Sequence, residues 1–401
     1  MTVKDKTRTI IWARAAGCCE YRGCNESLIG DLVSGHEDAT FGFIAHIVAE
    51  KSTGPRGDPV RSPLLVNDPD NLMLLCAKHH KLIDVDARDE HPEALLRQMK
   101  AEHEGRMRTV TAIGADRATH IVRYGARVGE HTSAVSYELV RTAVLPDWYP
   151  ADATSIAIEM LGSAAHDRDD EYWPIEVDNL RRQFARRVRE RLDDGEIRHL
   201  SVFALAPIPL LIELGRLLGD ISFASVYQLH REPKGWRWAE SGNSVGFTLD
   251  RPQARARKVA LSLAISSVID HDRICCVFGA DTEIWSITAS PTGNDVVRSP
   301  DDLIEFRQLA RTAFAAIKAA NPNCGTIHVF PAVPVSIAVE LGRVWMPRAD
   351  LPLIVYDETA GRGFVSRLEV RSTPAPGTEV PATTAPRRTD PPAEAPGLTI
   401  R

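Results

Sequence analysis

Two adjacent histidines, a third histidine upstream, an asparagine and four cysteines crowd into the first eighty residues of this chain. Their spacing is that of metal chemistry. Cys19-x₄-Cys24 and Cys76-x₂-His79 are two short-range pairs of soft or borderline donors, the form in which a closed tetrahedral zinc site takes its ligands. Cys18 competes with Cys19; Cys19 is preferred because its spacing to Cys24 leaves a compact turn, Glu20 to Gly23. Reduced core cysteines are the plainer alternative.

Beside this knuckle stand His46, Asn71 and His80. Hydrolysis of a phosphodiester needs a general base, a group that orients it and a metal ligand. His46 lies in the β-prone run Phe43-Ile-Ala-His-Ile-Val48, which would hold an imidazole rigidly enough to take a proton from water. Asn71 opens a second strand, and its amide would pin the backbone around that base. His80 begins the next helix and would hold part of a Mg²⁺ that stabilises the pentacovalent phosphate and the leaving 3′-oxygen. A lone strand histidine is usually a satisfied core residue, but three roles converging on one knuckle argue for a site.

The elements that must position these residues are a hairpin and a helix. The Pro/Gly-rich stretch 54–70 reads as the loop between the two strands, with Arg56 and Arg61 as phosphate contacts or solvated surface. Residues 93–107 read as a helix closing the domain, with Leu95, Leu96 and Met99 on one face. A short linker follows.

The chain is long enough, at 401 residues, for two or three domains. A net charge of −6 leaves no global electrostatic footprint for nucleic acid, so DNA contact must come from a local patch or from several copies together. Seven cysteines, an odd number, suit a reducing compartment better than a disulfide framework. The most apolar stretch, Leu200 to Leu214, is short and broken by Pro207 and Pro209, and the N-terminus lacks an apolar leader core. The expectation is a cytoplasmic protein with no membrane span. The Pro/Thr/Ala-rich tail is expected to be disordered.

A repeat organises the rest. Val202-Phe203…Pro207…Glu213-Leu-Gly-Arg216 recurs as Val329-Phe330…Pro334…Glu340-Leu-Gly-Arg343, every match at one offset of 127 residues. Each copy reads as a buried strand, a proline turn and a helix, preceded by an amphipathic helix (177–193 and 301–319) and followed by another strand. That is a duplicated β-turn-α unit of a parallel sheet, whose ligands bind beyond the carboxyl ends of the strands. No Gly-x-Gly-x-x-Gly or Walker motif is present, which argues against an NAD or ATP enzyme. The run from Val226 to Arg231, then Pro233-Lys-Gly-Trp-Arg-Trp238, offers Tyr227, Trp236 and Trp238 for stacking and Arg231 and Lys234 for phosphates. The two tryptophans read equally as alternating across a hairpin, one in the core. A ligand at the junction of the halves would touch Pro207 and Ile208 on one side and Pro334 to Ser336 on the other. The Arg-dense segment Arg181 to Arg198 reads as a solvated helix face, with subunit or DNA contact as its rival.

Residues 1–110 resemble an HNH endonuclease of the ββα-metal class, on Cys-x₄-Cys, Ala45-His-Ile, Gly54-Pro-Arg56, Asn71-Leu-x₂-Leu-Cys-x₂-His-His80 and Ile83-Asp84. The resemblance implies His46 as general base, Asn71 as the central asparagine, His80 as catalytic-metal ligand, and a structural zinc on Cys19, Cys24, Cys76 and His79. Many such enzymes carry an acid just before the first histidine. Ala45 stands there, so the metal would rest on His80 with waters and phosphate, or recruit Asp84, Glu102 or His103.

Residues 118–371 resemble a SAVED domain, two fused CARF-like, Rossmann-like halves that sense cyclic oligonucleotides, with their junction near 245–255. The linker would span 111–117 and the tail 372–401. The whole chain, α/β in class, is similar to the HNH–SAVED effectors of cyclic-oligonucleotide antiphage signalling (CBASS). That implies a Mg²⁺-dependent endonuclease cutting double-stranded DNA when a cyclic di- or trinucleotide binds and homo-oligomers, dimers or tetramers, assemble. An ungated restriction-type nuclease whose C-terminal half binds DNA or modified bases is the runner-up. A sensor with a dead nuclease site is the third reading.

Overall fold

The computed structural model describes residues 3–31, 36–129, 131–132, 135–160, 166–219, 221, 223–239, 245–252 and 255–372. The tail from 373 onward and part of the expected junction of the halves lie outside the described residues.

The N-terminal part is built from α1 (Asp5–Arg14), β1 (Ile29–Asp31), β2 (His36–Thr40), β3 (Phe43–His46), α2 (Arg61–Leu65), β4 (Leu72–Leu75), α3 (Ala77–Lys81) and α4 (Glu93–Thr111). β3 and β4 pair antiparallel, with His46 opposite Leu72 and Ala45 opposite Met73. All four residues of β4 are buried, as an unbroken apolar run demands. Cys76 caps α3, which passes into one wider turn, Leu82–Asp86. β3, β4 and α3 thus form a ββα unit, and α1 and α4 close over it through Ile11, Leu96 and Met99. The loop between the strands contains α2 and a short 3₁₀ turn, Pro69–Asn71, that ends on the asparagine.

The C-terminal part opens with β5 (Ala118–Val128), β6 (His131–Thr132), α5 (Tyr137–Ala143), β7 (Tyr149–Pro150), β8 (Ile156–Met160), α6 (Tyr172–Phe184) and α7 (Glu190–Asp193). The repeat follows as β9 (Leu200–Leu205), α8 (Ile208–Leu218) and β10 (Ala224–Val226), then a small hairpin of β11 (His230–Arg231) and β12 (Lys234–Gly235). The second half runs β13 (Gly246–Asp250), β14 (Lys258–Ala264), α9 (His271–Phe278), β15 (Thr282–Ser290), α10 (Pro300–Ala320), β16 (Ile327–Ala332), α11 (Val335–Val344), β17 (Leu353–Thr359) and β18 (Gly363–Val370). In the first sheet β10, β9, β5 and β8 are parallel neighbours. In the second, β15, β14, β16 and β17 are parallel, edged by antiparallel β13 and β18. The mixed α/β architecture with two related halves is the one the repeat implied.

The repeated Glu-Leu-Gly-Arg explains how the halves join. α8 and α11 pack on each other so closely that a Cβ on Gly215 would lie 1.9 Å from the Val339 carbonyl oxygen, and one on Gly342 2.0 Å from that of Ile212. Only glycine fits such a crossing. Each repeated glutamate is buried beside its repeated arginine: Glu213 accepts from Arg216 and Arg181, and Glu340 accepts from Arg343 and pairs with Arg307. Leu210, Leu211, Ile212, Leu214 and Leu218 of α8 are fully buried, each stabilising by roughly 1.5–3 kcal/mol. One apolar core runs through both halves.

The Arg-dense segment lies on α6, α7 and the turn between. Arg181 pairs with Glu213, Arg182 with Asp178 and Arg191 with Glu196 and Asp152, while Arg187 and Arg189 donate to the carbonyls of Ala157 and Leu217. Most of that charge is therefore spent within the fold. No described helix is long and apolar enough to cross a membrane.

Candidate functional site

Cys19, Cys24, Cys76 and His79 present one ligand atom each, all within 4.8 Å of one another. Cys19 Sγ lies 3.7 Å and Cys76 Sγ 3.2 Å from His79 Nδ1. Metal–ligand bonds of 2.0–2.3 Å in a tetrahedron put neighbouring donors roughly 3.3–3.8 Å apart, so the two thiol–imidazole separations are close to those of a zinc site and the quartet could hold a metal ion. Cys18 turns away, its thiol donating to the Ala16 carbonyl. The His79 ring lies parallel to Tyr21 at 4.1 Å, and the Tyr21 hydroxyl donates to Nε2 of His91, whose Nδ1–H donates to the Ala87 carbonyl. Burial pushes the Cys19 thiol up to about 12 and holds His79 below the usual imidazole range. A neutral imidazole is the form that binds a metal, and a dication supplies the charge that buried thiolates require.

The His46 ring is half-buried at the end of β3. Its Nε2–H donates to the Val66 carbonyl at 3.2 Å, which leaves Nδ1 as the nitrogen with a lone pair. Asn71 is fully buried: Oδ1 accepts from Val48 N–H at 2.9 Å, and Nδ2 donates to the Val48 and Leu65 carbonyls at 2.9 and 3.3 Å. The asparagine therefore fastens the backbone just after His46 to the segment that supplies His46's acceptor. His80 stacks on Phe43 at 5.3 Å, and its Nε2 lies 3.5 Å from Asp84 Oδ2. Both groups lie close enough together that they could share a divalent cation, which would take its other ligands from water and phosphate oxygens. Ala45 is buried in the core, so Asp84 is the carboxylate the fold brings to His80.

Three expectations need correction here. His103 cannot ligate: it is buried on α4, Nε2–H donates to the Ala15 carbonyl, and Nδ1 accepts from Arg106. Glu102 is held by a two-bond fork from Arg22. Arg56 is not free for phosphate, since it is folded inward onto Asp84 and backbone carbonyls, whereas Arg61 forks onto Glu93 at the surface, the solvated alternative.

In the C-terminal part, the carboxyl ends of the two sheets meet. The Gln228 amide oxygen accepts from Ser336 N–H and Oγ at 3.2 and 2.6 Å. The hairpin after β10 is held to the loop after β15, where Asp295 accepts from the N–H groups of Arg231 and Glu232, and Arg298 donates to the Glu232 carbonyl. Pro207 and Pro334 cap α8 and α11. Arg231 and Lys234 face each other across the hairpin as exposed cations. Tyr227 and Trp236 are buried, stacked and edge-on against Phe203. Trp236 is thus a core residue rather than a stacking platform, and Ser336 is buried and already bonded. Trp238 is half-buried, 6.0 Å from the Tyr227 ring, and with Tyr227, Trp148, Ile304 and Arg307 lines a cavity of about 220 Å³ beside β10. The sequence reading missed His230, which is buried beside Trp238 with neither ring nitrogen hydrogen-bonded, and also Gln228, Asp295 and Arg298. The repeat could have flagged Gln228 and His230, because they follow the strand after its first copy.

Residues 32–86 match a family described as HNH endonuclease, and residues 180–370 one described as the SMODS-associated and fused to various effectors sensor domain, SAVED. No curated protein matches the sequence. Similar solved structures include the Acinetobacter baumannii Cap4 SAVED/CARF-domain containing receptor with the cyclic trinucleotide 3′3′3′-cAAA, at 11% identity over 68% of this chain and 56% of that one, TM-score 0.41. A second structure of the Acinetobacter baumannii Cap4 receptor matches at 11% identity over 78% and 65%, TM-score 0.40, and the Moraxella osloensis Cap4 receptor at 11% over 68% and 54%, TM-score 0.38. This chain spans between 54% and 65% of the length of those receptors. By these two matches the chain carries a segment similar to HNH endonucleases ahead of one similar to SAVED sensor domains.

Proposed function

We propose that this chain is a metal-dependent endonuclease that cuts double-stranded DNA when a cyclic di- or trinucleotide occupies its SAVED domain, as an effector of antiphage signalling. The observation that carries the reading is the union, in one chain, of an HNH ββα unit holding His46, Asn71 and His80 with a SAVED sensor of two halves.

In the nuclease domain the Val66 carbonyl fixes the His46 tautomer, so Nδ1 takes the proton from the attacking water. The water oxygen bonds to phosphorus, the bond from phosphorus to the 3′-oxygen breaks, and the leaving oxygen gains a proton from solvent. His80 and Asp84 would hold a Mg²⁺, which when bound would supply positive charge to the phosphate and the leaving oxygen. Asn71 keeps the base strand in place, and the zinc knuckle ties the hairpin to α1 and α3. In the sensor, the ligand sits at the carboxyl ends of both sheets. Arg231 and Lys234 meet its phosphates, Trp238 supplies an aromatic face, and Pro207, Ile208 and Pro334 form the floor. Ligand occupancy changes subunit packing and brings nuclease domains together on DNA, a dimer or larger assembly supplying the basic surface that one acidic chain lacks.

Thermal shift against cyclic di- and trinucleotides tests the sensor half, because a ligand bound only by the folded state raises its stability by mass action. One member should raise the melting temperature, and Arg231→Ala should cancel that rise. If no cyclic oligonucleotide shifts the melting of a zinc-loaded protein, the sensing claim fails.

A further inference from the structure

Arg56 is the most fully engaged side chain near the nuclease site. It sits in the loop between β3 and α2, with a left-handed backbone (φ 55°) that non-glycine residues adopt rarely. Its side chain is only 9% exposed. Nε donates to the Ile47 carbonyl at 2.6 Å. Nη1 donates to the carbonyls of Ile83 at 2.8 Å and His91 at 3.5 Å, and Nη2 to the His46 carbonyl at 3.4 Å and Asp84 Oδ1 at 2.6 Å. A guanidinium has five N–H donors, and all five have acceptors. None is left for a DNA phosphate.

Four of the five acceptors fall in two groups, the long bond to the His91 carbonyl standing apart. His46 and Ile47 belong to the strand that carries the base. Ile83 and Asp84 belong to the turn that carries the carboxylate beside His80. One rigid planar fork therefore spans the two chemical halves of the site. It takes Oδ1 of Asp84 and leaves Oδ2, the oxygen 3.5 Å from His80 Nε2, turned toward that histidine.

We propose that Arg56 is a positioning residue: it sets the distance between the general base and the metal edge, and aims Asp84 Oδ2 at the cation shared with His80. This rests on the reading of His80 and Asp84 as metal ligands. Lysine keeps the charge but cannot reproduce the fork, so Arg56→Lys separates geometry from charge. A second-sphere partner of a metal ligand is typically worth 10–100-fold in metal affinity.

The test is Mn²⁺ binding, followed by electron paramagnetic resonance on protein whose zinc content is verified, for wild type, Arg56→Lys, Asp84→Asn and the double variant. DNA cleavage is measured alongside. Arg56→Lys should weaken Mn²⁺ binding about tenfold or more and lower kcat with little change in KM for DNA. In the Asp84→Asn background it should add no further loss of Mn²⁺ affinity. If Asp84→Asn binds Mn²⁺ like wild type, the metal reading itself is wrong. If Asp84→Asn weakens binding while Arg56→Lys only lowers the melting temperature, the metal reading stands and Arg56 is merely structural. Should Arg56→Lys fail to fold, Asp84→Glu moves the carboxylate off the same fork. It should show the same loss of Mn²⁺ affinity with zinc retained, and unchanged affinity there overturns the proposal.

Discussion

One hydrogen bond decides which nitrogen of His46 is basic, the one from Nε2 to the Val66 carbonyl. His46→Ala should therefore abolish cleavage, a loss of 10²–10⁴-fold or more, while zinc content, melting temperature and ligand affinity stay those of wild type. Cys24→Ser and Cys76→Ser should do the reverse, lowering zinc content and stability together because structural zinc contributes to folding. Equal metal and melting values with activity alone lost would show that the division of roles is wrong. A fourth residue, His199, predicts a pH effect. Burial lowers His199 to about 4, and the ring is stacked on Trp148 and meets the hydroxyls of Thr119 and Ser225. The unfolded chain, with an ordinary imidazole near 6.5, takes up the proton first. The stability due to this group is complete above that pH and is lost as pH falls toward 4, on the order of 3 kcal/mol in all. Urea midpoints at pH 7 and pH 5 should drop less for His199→Asn than for wild type; an equal drop would rule out this histidine as the source. The Cys19, Cys24, Cys76 and His79 cluster, and the proposed His46, Asn71 and His80 set, were legible from spacing, because metal ligands and strand-end histidines obey short-range rules. Arg56 was not, since its backbone turn folds an arginine inward where loop composition suggests solvent.

The strand–turn–helix units were legible as elements because a repeat at one offset carries its own alignment. What the repeat could not reveal is why Gly215 and Gly342 recur: the reason lies in a contact between copies. Gly342→Ala would drive a Cβ into the Ile212 carbonyl oxygen. It should cost about 1–3 kcal/mol or more and lower the melting temperature accordingly. Gly105 in α4 is the control. Nothing stands closer than 4.0 Å to its added Cβ, so Gly105→Ala should stabilise by up to about 1 kcal/mol through helix propensity. Equal effects at both sites would refute the close crossing. Hairpin alternation likewise left Trp236 and Trp238 undecided. Packing decided it, with Phe203, distant in sequence, taking the edge of Trp236. Trp236→Ala should therefore cost about 3–5 kcal/mol as a core deletion, whereas Trp238→Ala should weaken ligand binding about tenfold.

At the scale of the whole chain, the two domains and their chemistry make sense only together. A net charge of −6 on 401 residues gives a single copy little long-range attraction for DNA. A ligand bound where we propose, between the carboxyl ends of the two sheets, would convert binding energy into rearrangement, provided it binds one arrangement better than the other. The central claim is that coupling, and digestion of supercoiled plasmid with Mg²⁺ tests it most directly, across cyclic di- and trinucleotides and a lane with none. The account predicts cutting with one ligand, no cutting without it, and none by His46→Ala under any condition. Cutting at equal rates in every wild-type lane, ligand present or absent, would contradict it.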